Sequence, residues 1–163
     1  MYNKDDIVVY GSQGVCTISN ITEREGVKYY VLTPFSTTGA TILVPTDNKV
    51  LKDKMHPVLS KQEIYKLIET MPKTNSDWIE SEGERKDLYK KILSSGNRAE
   101  LIKQIKLIYS HINELKTKKK KLHNCDEQFF NIAEKILYEE FSYVLHIDKD
   151  EVLPFITEHL SHV

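Results

Sequence analysis

His111, His123, Cys125 and His146 are the residues whose types could gather around a metal ion. His123 and Cys125 stand one residue apart, too close for the usual finger spacing, and no second pair follows them. The other reactive groups are no better organised. There is no GxxxxGK[ST] or GxGxxG loop to cradle a phosphate, no GxSxG elbow to aim a serine, and no HExxH. Carboxylates are numerous but stand at helical spacing from lysines, the pattern of a solvated face. His159 and His162 flank the chain end and are expected to be solvated. Cys16 and Cys125 show no CxxC pattern and read as reduced packing residues. The expectation is a protein that is not an enzyme and needs neither a metal nor a cofactor.

The informative chemistry is electrostatic. The formal net charge is −1, yet residues 84–135 carry thirteen Lys or Arg against seven acids, and residues 136–163 carry Lys149 against six acids. Within the basic segment Arg85, Lys86, Lys90 and Lys91 fall on one expected helix. Arg98, Lys103 and Lys106 fall on the next, which is expected to close with Lys116 and the lysines at 118–121. Such cations suit phosphate contacts, although lysines on helices are commonly just solvated and a basic last turn also complements the helix dipole. Trp78, the only tryptophan, stands among Asp77, Glu80, Ser81 and Glu82. A large apolar ring in polar company is either an anchor for a connector or a surface wedge. A wedge can enter a disturbed base step and recover the unstacking cost, roughly a few kcal/mol, through added contacts. In a helix continuous from Trp78, the residues Glu82, Arg85 and Tyr89 would share its face.

The elements that must position these residues are of two kinds. Through residue 52, short runs rich in Val, Ile, Thr and Tyr alternate with Gly11, Gly14, Gly26 and Gly39, which predicts four or five strands. Pro45 ends the fourth, because proline cannot donate into a ladder, and Lys49-Val-Leu51 is expected to close the sheet. Beyond residue 58 the period becomes helical. Ser60-Lys-Gln-Glu63 is a capping box, Ser81-Glu-Gly-Glu84 a second candidate, and Ser94-Ser-Gly-Asn97 a stop. A long helix is then expected from Asn97 to about Leu122, another from Asn124, and a last one near Asp148 whose start Pro154 would delay. The fold class is therefore α+β: a small Tudor/SH3-like β barrel over residues 1–55, then a compact all-α domain of about five helices over 56–163. No run approaches the ~18 apolar residues of a membrane span. Asp5 and Asp6 stand where a secretory signal needs an apolar stretch, so a cytoplasmic location is expected.

The barrel sequence VVYGSQGVCTISNI, the strand TILVP, and the later W…ERKDLYKKILSSG together resemble the CarD/CdnL family of bacterial RNA polymerase-binding transcription regulators. The same barrel heads a region of transcription–repair coupling factors. Those are large P-loop ATPases, and this chain has no P-loop. The resemblance spans nearly the whole chain and implies a division of labour. The barrel would bind the polymerase β subunit, largely by edge-strand pairing, through Arg24, Thr41, Leu43 and Pro45. Leu43 stands where the family often has Arg, but strand pairing needs only backbone. The helical half would contact promoter DNA at the upstream edge of the melted bubble through Trp78, Arg85, Lys86, Lys90, Arg98 and Lys121. There Trp78 would wedge into the minor groove without sequence-specific readout. Many members carry Arg directly after the Trp. Here Ile79 follows, with Glu80 and Glu82, so DNA affinity is expected to be low and the polymerase to supply effective concentration. The implied protein is a monomeric, cytoplasmic, nucleoid-associated regulator that stabilises the open promoter complex. The rival reading is a Tudor/SH3-like adaptor whose helical half docks another protein without touching DNA.

Overall fold

The computed structural model describes residues 1–73 and 77–160. Residues 74–76 of the polar connector and the tail histidine His162 lie outside the described residues. Five strands, β1 (Ile7–Tyr10), β2 (Gly14–Arg24), β3 (Val27–Pro34), β4 (Ile42–Pro45) and β5 (Met55–Pro57), form one antiparallel sheet in the order β4-β3-β2-β1-β5. Alternation of side chains along a strand gives this sheet two working faces. Val8, Tyr10, Cys16 and Ile18 turn to one side, where they meet Tyr30, Leu32, Val44 and Met55 in the barrel core. Val9 and Val15, directly opposite each other across β1 and β2, turn to the other side. They pack against Tyr89, Ile92, Leu101 and Ile136 of the helical half. The barrel and the helices therefore share a core.

Two elements of the sheet half differ from the sequence reading. Lys49-Val-Leu51 is not a strand: Lys49–Lys52 is a short helix, α1, because the Asn48 side chain accepts from the Leu51 amide and caps it. The closing strand is β5, which pairs with β1 and carries the sheet past residue 55 to Pro57.

The helical half comprises α2 (Lys61–Thr70), α3 (Glu82–Ser95), α4 (Arg98–Thr117), α5 (Asn124–Leu145) and α6 (Lys149–Leu160). Ser60 and Glu63 form the expected capping box on α2. α3 starts at Glu82 behind the Ser81 cap, so Trp78 lies in the irregular segment before it and shares no helical face with Arg85. Gly96, left-handed at φ 67°, ends α3, and the Asn97 side chain caps α4. α4 stops at Thr117, five residues short of Leu122. Lys119 takes a left-handed conformation (φ 54°), its amide donates to Lys116 O at 3.3 Å, and the Lys120 amide donates to Leu115 O at 2.9 Å. These are the two bonds of a Schellman motif, closed here by lysine instead of glycine. Pro154 sits inside α6 without delaying its start. Its missing amide leaves the Asp150 carbonyl without its intrahelical donor. A second core of Ile64, Ile68, Ile102, Leu137, Phe141 and Val152 joins α2, α4, α5 and α6. His159 is not simply solvated: its ring stacks on Tyr65 of α2 at 4.8 Å and 7°. Among the described residues no helix is long and apolar enough to cross a membrane.

Side-chain bonds lock the two halves at the chain crossing. Arg98 donates Nε and Nη2 to Glu140 of α5 (3.0 and 2.7 Å), Nη1 to Gly96 O (2.8 Å) and Nη2 to Pro57 O on β5 (2.9 Å). Glu140 also accepts from the Leu59 amide. One buried ion pair thus ties the last strand, the connector, the α3–α4 turn and α5. His56 on β5 bonds to Ser94 O at 3.0 Å, and its ring lies so close to Gly96 that a Cβ there would meet it at 2.4 Å.

Candidate functional site: a strand edge and a lysine-rimmed cleft

The sheet places the first set of sequence candidates on one outer face. Cross-strand partners lie on the same face of a sheet. Arg24 pairs with Val27, Thr22 with Tyr29 and then Pro45, and Asn20 with Val31 and then Leu43. Arg24, Leu43 and Pro45 therefore point away from the barrel core, whereas Tyr30, Leu32 and Val44 point into it. Arg24 is exposed beside a tight hairpin turn whose two corner residues, Glu25 and Gly26, both have positive φ. Leu43 is 39% exposed, and Thr41, also exposed, stands just before β4. β4 pairs only with β3 and is a terminal strand of the sheet. Such an edge offers backbone donors and acceptors to an incoming strand.

The helical half treats its candidates differently, and two of them need correction. Arg85 and Arg98 are not surface phosphate ligands. Arg85 is 4% exposed and donates Nε and Nη2 to Asp126 of α5, each at 2.9 Å. Its Nη1 donates to Ile79 O and Glu80 O at 3.0 and 3.1 Å. The Arg98 guanidinium is the interdomain clamp described above, and its side chain is 9% exposed. Both cations are neutralised by carboxylates 41 and 42 residues away in sequence. Burial pulls the Asp126 carboxyl upward, but bonds from Arg85 and from the Tyr89 hydroxyl outweigh it and hold the group below the usual carboxylate range. Burial drives the Tyr89 hydroxyl well up, so it stays a donor.

Lys86, Lys90 and Lys121 are exposed. Lys86 pairs with Glu82 at 3.5 Å, and Lys90 faces the barrel turn at Ser12 and Gln13. Lys121 alone of the three lines a cleft with Trp78. That cleft, of about 360 Å³, is also bordered by His111, Lys118, Lys120 and His123, with Glu80 and Glu114 as opposing charges. The Trp78 ring is half-buried, not fully displayed. It stacks on His111 of α4 with centroids 3.7 Å apart and planes at 10°, and the Arg85 guanidinium carbon lies 4.7 Å from its centroid. The Schellman turn at Lys119 sets the path of the lysine run along the rim.

Asp126 and Glu140 are the residues that sequence reasoning missed, and His111, weighed there only as a metal ligand, stacks on Trp78 instead. Asp126 reads as an ordinary acid at a helix start, and its partners are too distant to leave a local signal. The four possible metal ligands do not assemble: among the described residues no group of three or more His, Cys, Asp or Glu could hold an ion. His111 stacks on Trp78, His123 precedes α5, and His146 ends it in a left-handed cap. Both cysteines are free, and burial pushes the Cys16 thiol up to about 12. Glu139 is the remaining oddity. It is 2% exposed at the sheet–helix seam, against Gly14, with no hydrogen bond to either oxygen and only Lys135 Nζ at 3.9 Å. Burial raises its pKa.

A small antiparallel barrel with an open edge strand, fused to helices through a shared core, has the build of an interaction module. Residues 2–59 match the family described as the CarD-like/TRCF RID domain. The match covers the five strands and ends before the first long helix, so the sheet half of the chain is similar to that domain. The matched domain is a protein-interaction domain, and the helical half lies outside the match. Comparison with curated proteins gives no match.

Proposed function

We propose that this protein tethers itself to the β subunit of RNA polymerase through the β4 edge and the Arg24–Leu43–Pro45 face, and stabilises the open promoter complex through Trp78. The observation that carries the reading is the RID-domain match over the strands that hold this face. Thr41 and Leu43 would flank the added strand. In the helical half, Trp78 would meet the minor groove at the upstream edge of the bubble, with Lys118, Lys120 and Lys121 against the phosphates. Lys86 and Lys90 would add longer-range attraction. Arg85 and Arg98 have no such role, because their charges are already matched. A protein that binds the open state better than the closed one lengthens the life of the open state by population shift. Binding would be through a single copy, and DNA choice would come from polymerase, without base readout.

The half-buried state of Trp78 and the acids at the cleft favour a second reading, an adaptor whose cleft docks a protein. One experiment separates them: the lifetime of a competitor-challenged open complex with wild type, Trp78→Ala and Arg24→Glu. On the proposed function wild type prolongs the lifetime. Trp78→Ala loses that effect while still binding polymerase, and Arg24→Glu loses both. Polymerase binding without any change in lifetime would support the adaptor.

A further inference from the structure

We infer that Arg85 is a positioning residue for Trp78: its buried pairing with Asp126 sets the pose in which the indole is presented. The inference rests on the function proposed above and adds to it a residue that touches no DNA. Trp78 lies in a segment with no helix or ladder to hold it, so its place must come from side chains. One guanidinium reaches every relevant point. Two of its nitrogens grip both oxygens of Asp126, at the first turn of α5. A third holds the carbonyls of Ile79 and Glu80, the two residues after Trp78. Its carbon lies over the indole. The Tyr89 hydroxyl donates to the same carboxylate and keeps it from turning. His111 completes the seat by stacking on the indole. An exposed arginine could exchange such contacts with water, but this one is almost fully buried in the wall of the cleft.

The planar fork decides the chemistry. Lysine would keep the charge, but a single ammonium cannot hold both carboxylate oxygens and two carbonyls in one plane. Arg85→Lys therefore isolates geometry from charge. Because Trp78 is the only tryptophan, its fluorescence reports the pose without labels.

The test measures three things in the full chain: Trp78 emission and acrylamide quenching, polymerase affinity, and open-complex lifetime. A second variant guards against misfolding. Arg85→Met with Asp126→Leu and Tyr89→Phe removes the buried charges and the hydroxyl together, a replacement that proteins commonly tolerate. The expected result is the same for both variants. Trp78 becomes more quenchable and red-shifted, polymerase affinity is unchanged, and the lifetime falls to that of Trp78→Ala. The inference is overturned if Trp78 is as shielded as in wild type in both variants, or if it loosens while the lifetime persists. If wild type itself leaves the lifetime unchanged, the proposed function fails, and the quenching data still decide whether Arg85 holds the indole.

Discussion

The outer face of β2–β4 and the Trp78 cleft are both surfaces, but different things hold them in shape. Arg24, Leu43 and Pro45 ride on strands whose backbone ladder fixes their direction, whatever the neighbouring side chains are. Trp78 rides on an irregular segment and is placed by Arg85, His111 and, through Arg85, Asp126. The first surface is robust because its geometry is written in backbone hydrogen bonds rather than in particular side chains. The second depends on a few buried polar side chains, each without a substitute. In this protein a buried cation marks architecture, and an exposed one marks a candidate contact.

The sharpest way to break the comparison is to truncate one arginine from each surface. Arg85→Ala leaves Asp126 buried without its partner and should cost about 3–5 kcal/mol of stability in urea denaturation. Arg24→Ala, on an exposed strand end, should stay within about 0.5 kcal/mol of wild type. Equal losses would undo the distinction. The Arg85 contribution also has a pH signature. The folded Asp126 pKa is lowered, so its stabilisation is present above the ordinary aspartate range and is lost as pH falls through the folded value.

Next in size is Gly96→Ala, at the joint between the halves. The left-handed φ and the contact with His56 should together cost about 2–4 kcal/mol, read as a fall in thermal midpoint. Glu139→Gln should act in the opposite direction. Its folded pKa is raised, so the wild-type side chain is tolerated at low pH and its cost grows as pH rises through the folded value. The variant should match wild type near pH 4 and exceed it by about 1–2 kcal/mol at pH 7. A gain independent of pH would mean that the charge of Glu139 is not the cause. The smallest effect is expected at Lys119→Gly, which relieves a left-handed lysine and should stabilise by roughly 0.5–1 kcal/mol. A stability loss there would show that the lysine run earns its conformation from contacts beyond the turn.

Local signals carried much of the fold. The alternation of Val8, Val9 and Tyr10 and of Val15, Cys16 and Ile18 marks strands with two buried faces. The capping residues Ser60, Ser81 and Asn97 mark helix starts. These features act within a few residues, so they can be read from the chain. Other local readings failed where two signals competed. Asn48 capped α1 where β-branched Val50 suggested a strand, and Lys119 entered a left-handed turn where the basic run suggested a longer helix.

The sequence by itself determined the α+β division, the barrel signature, the placement of Arg24 and Leu43 on strands, and the isolation of one tryptophan among polar neighbours. Only the tertiary structure decided which cations are free. Arg85 and Lys86 are adjacent and chemically alike, yet one is buried against Asp126 and the other is exposed. Helical geometry turns neighbouring residues to different faces, and a carboxylate some forty residues away selects between them. Pairing at that range depends on how α3 packs on α5, which no local pattern encodes.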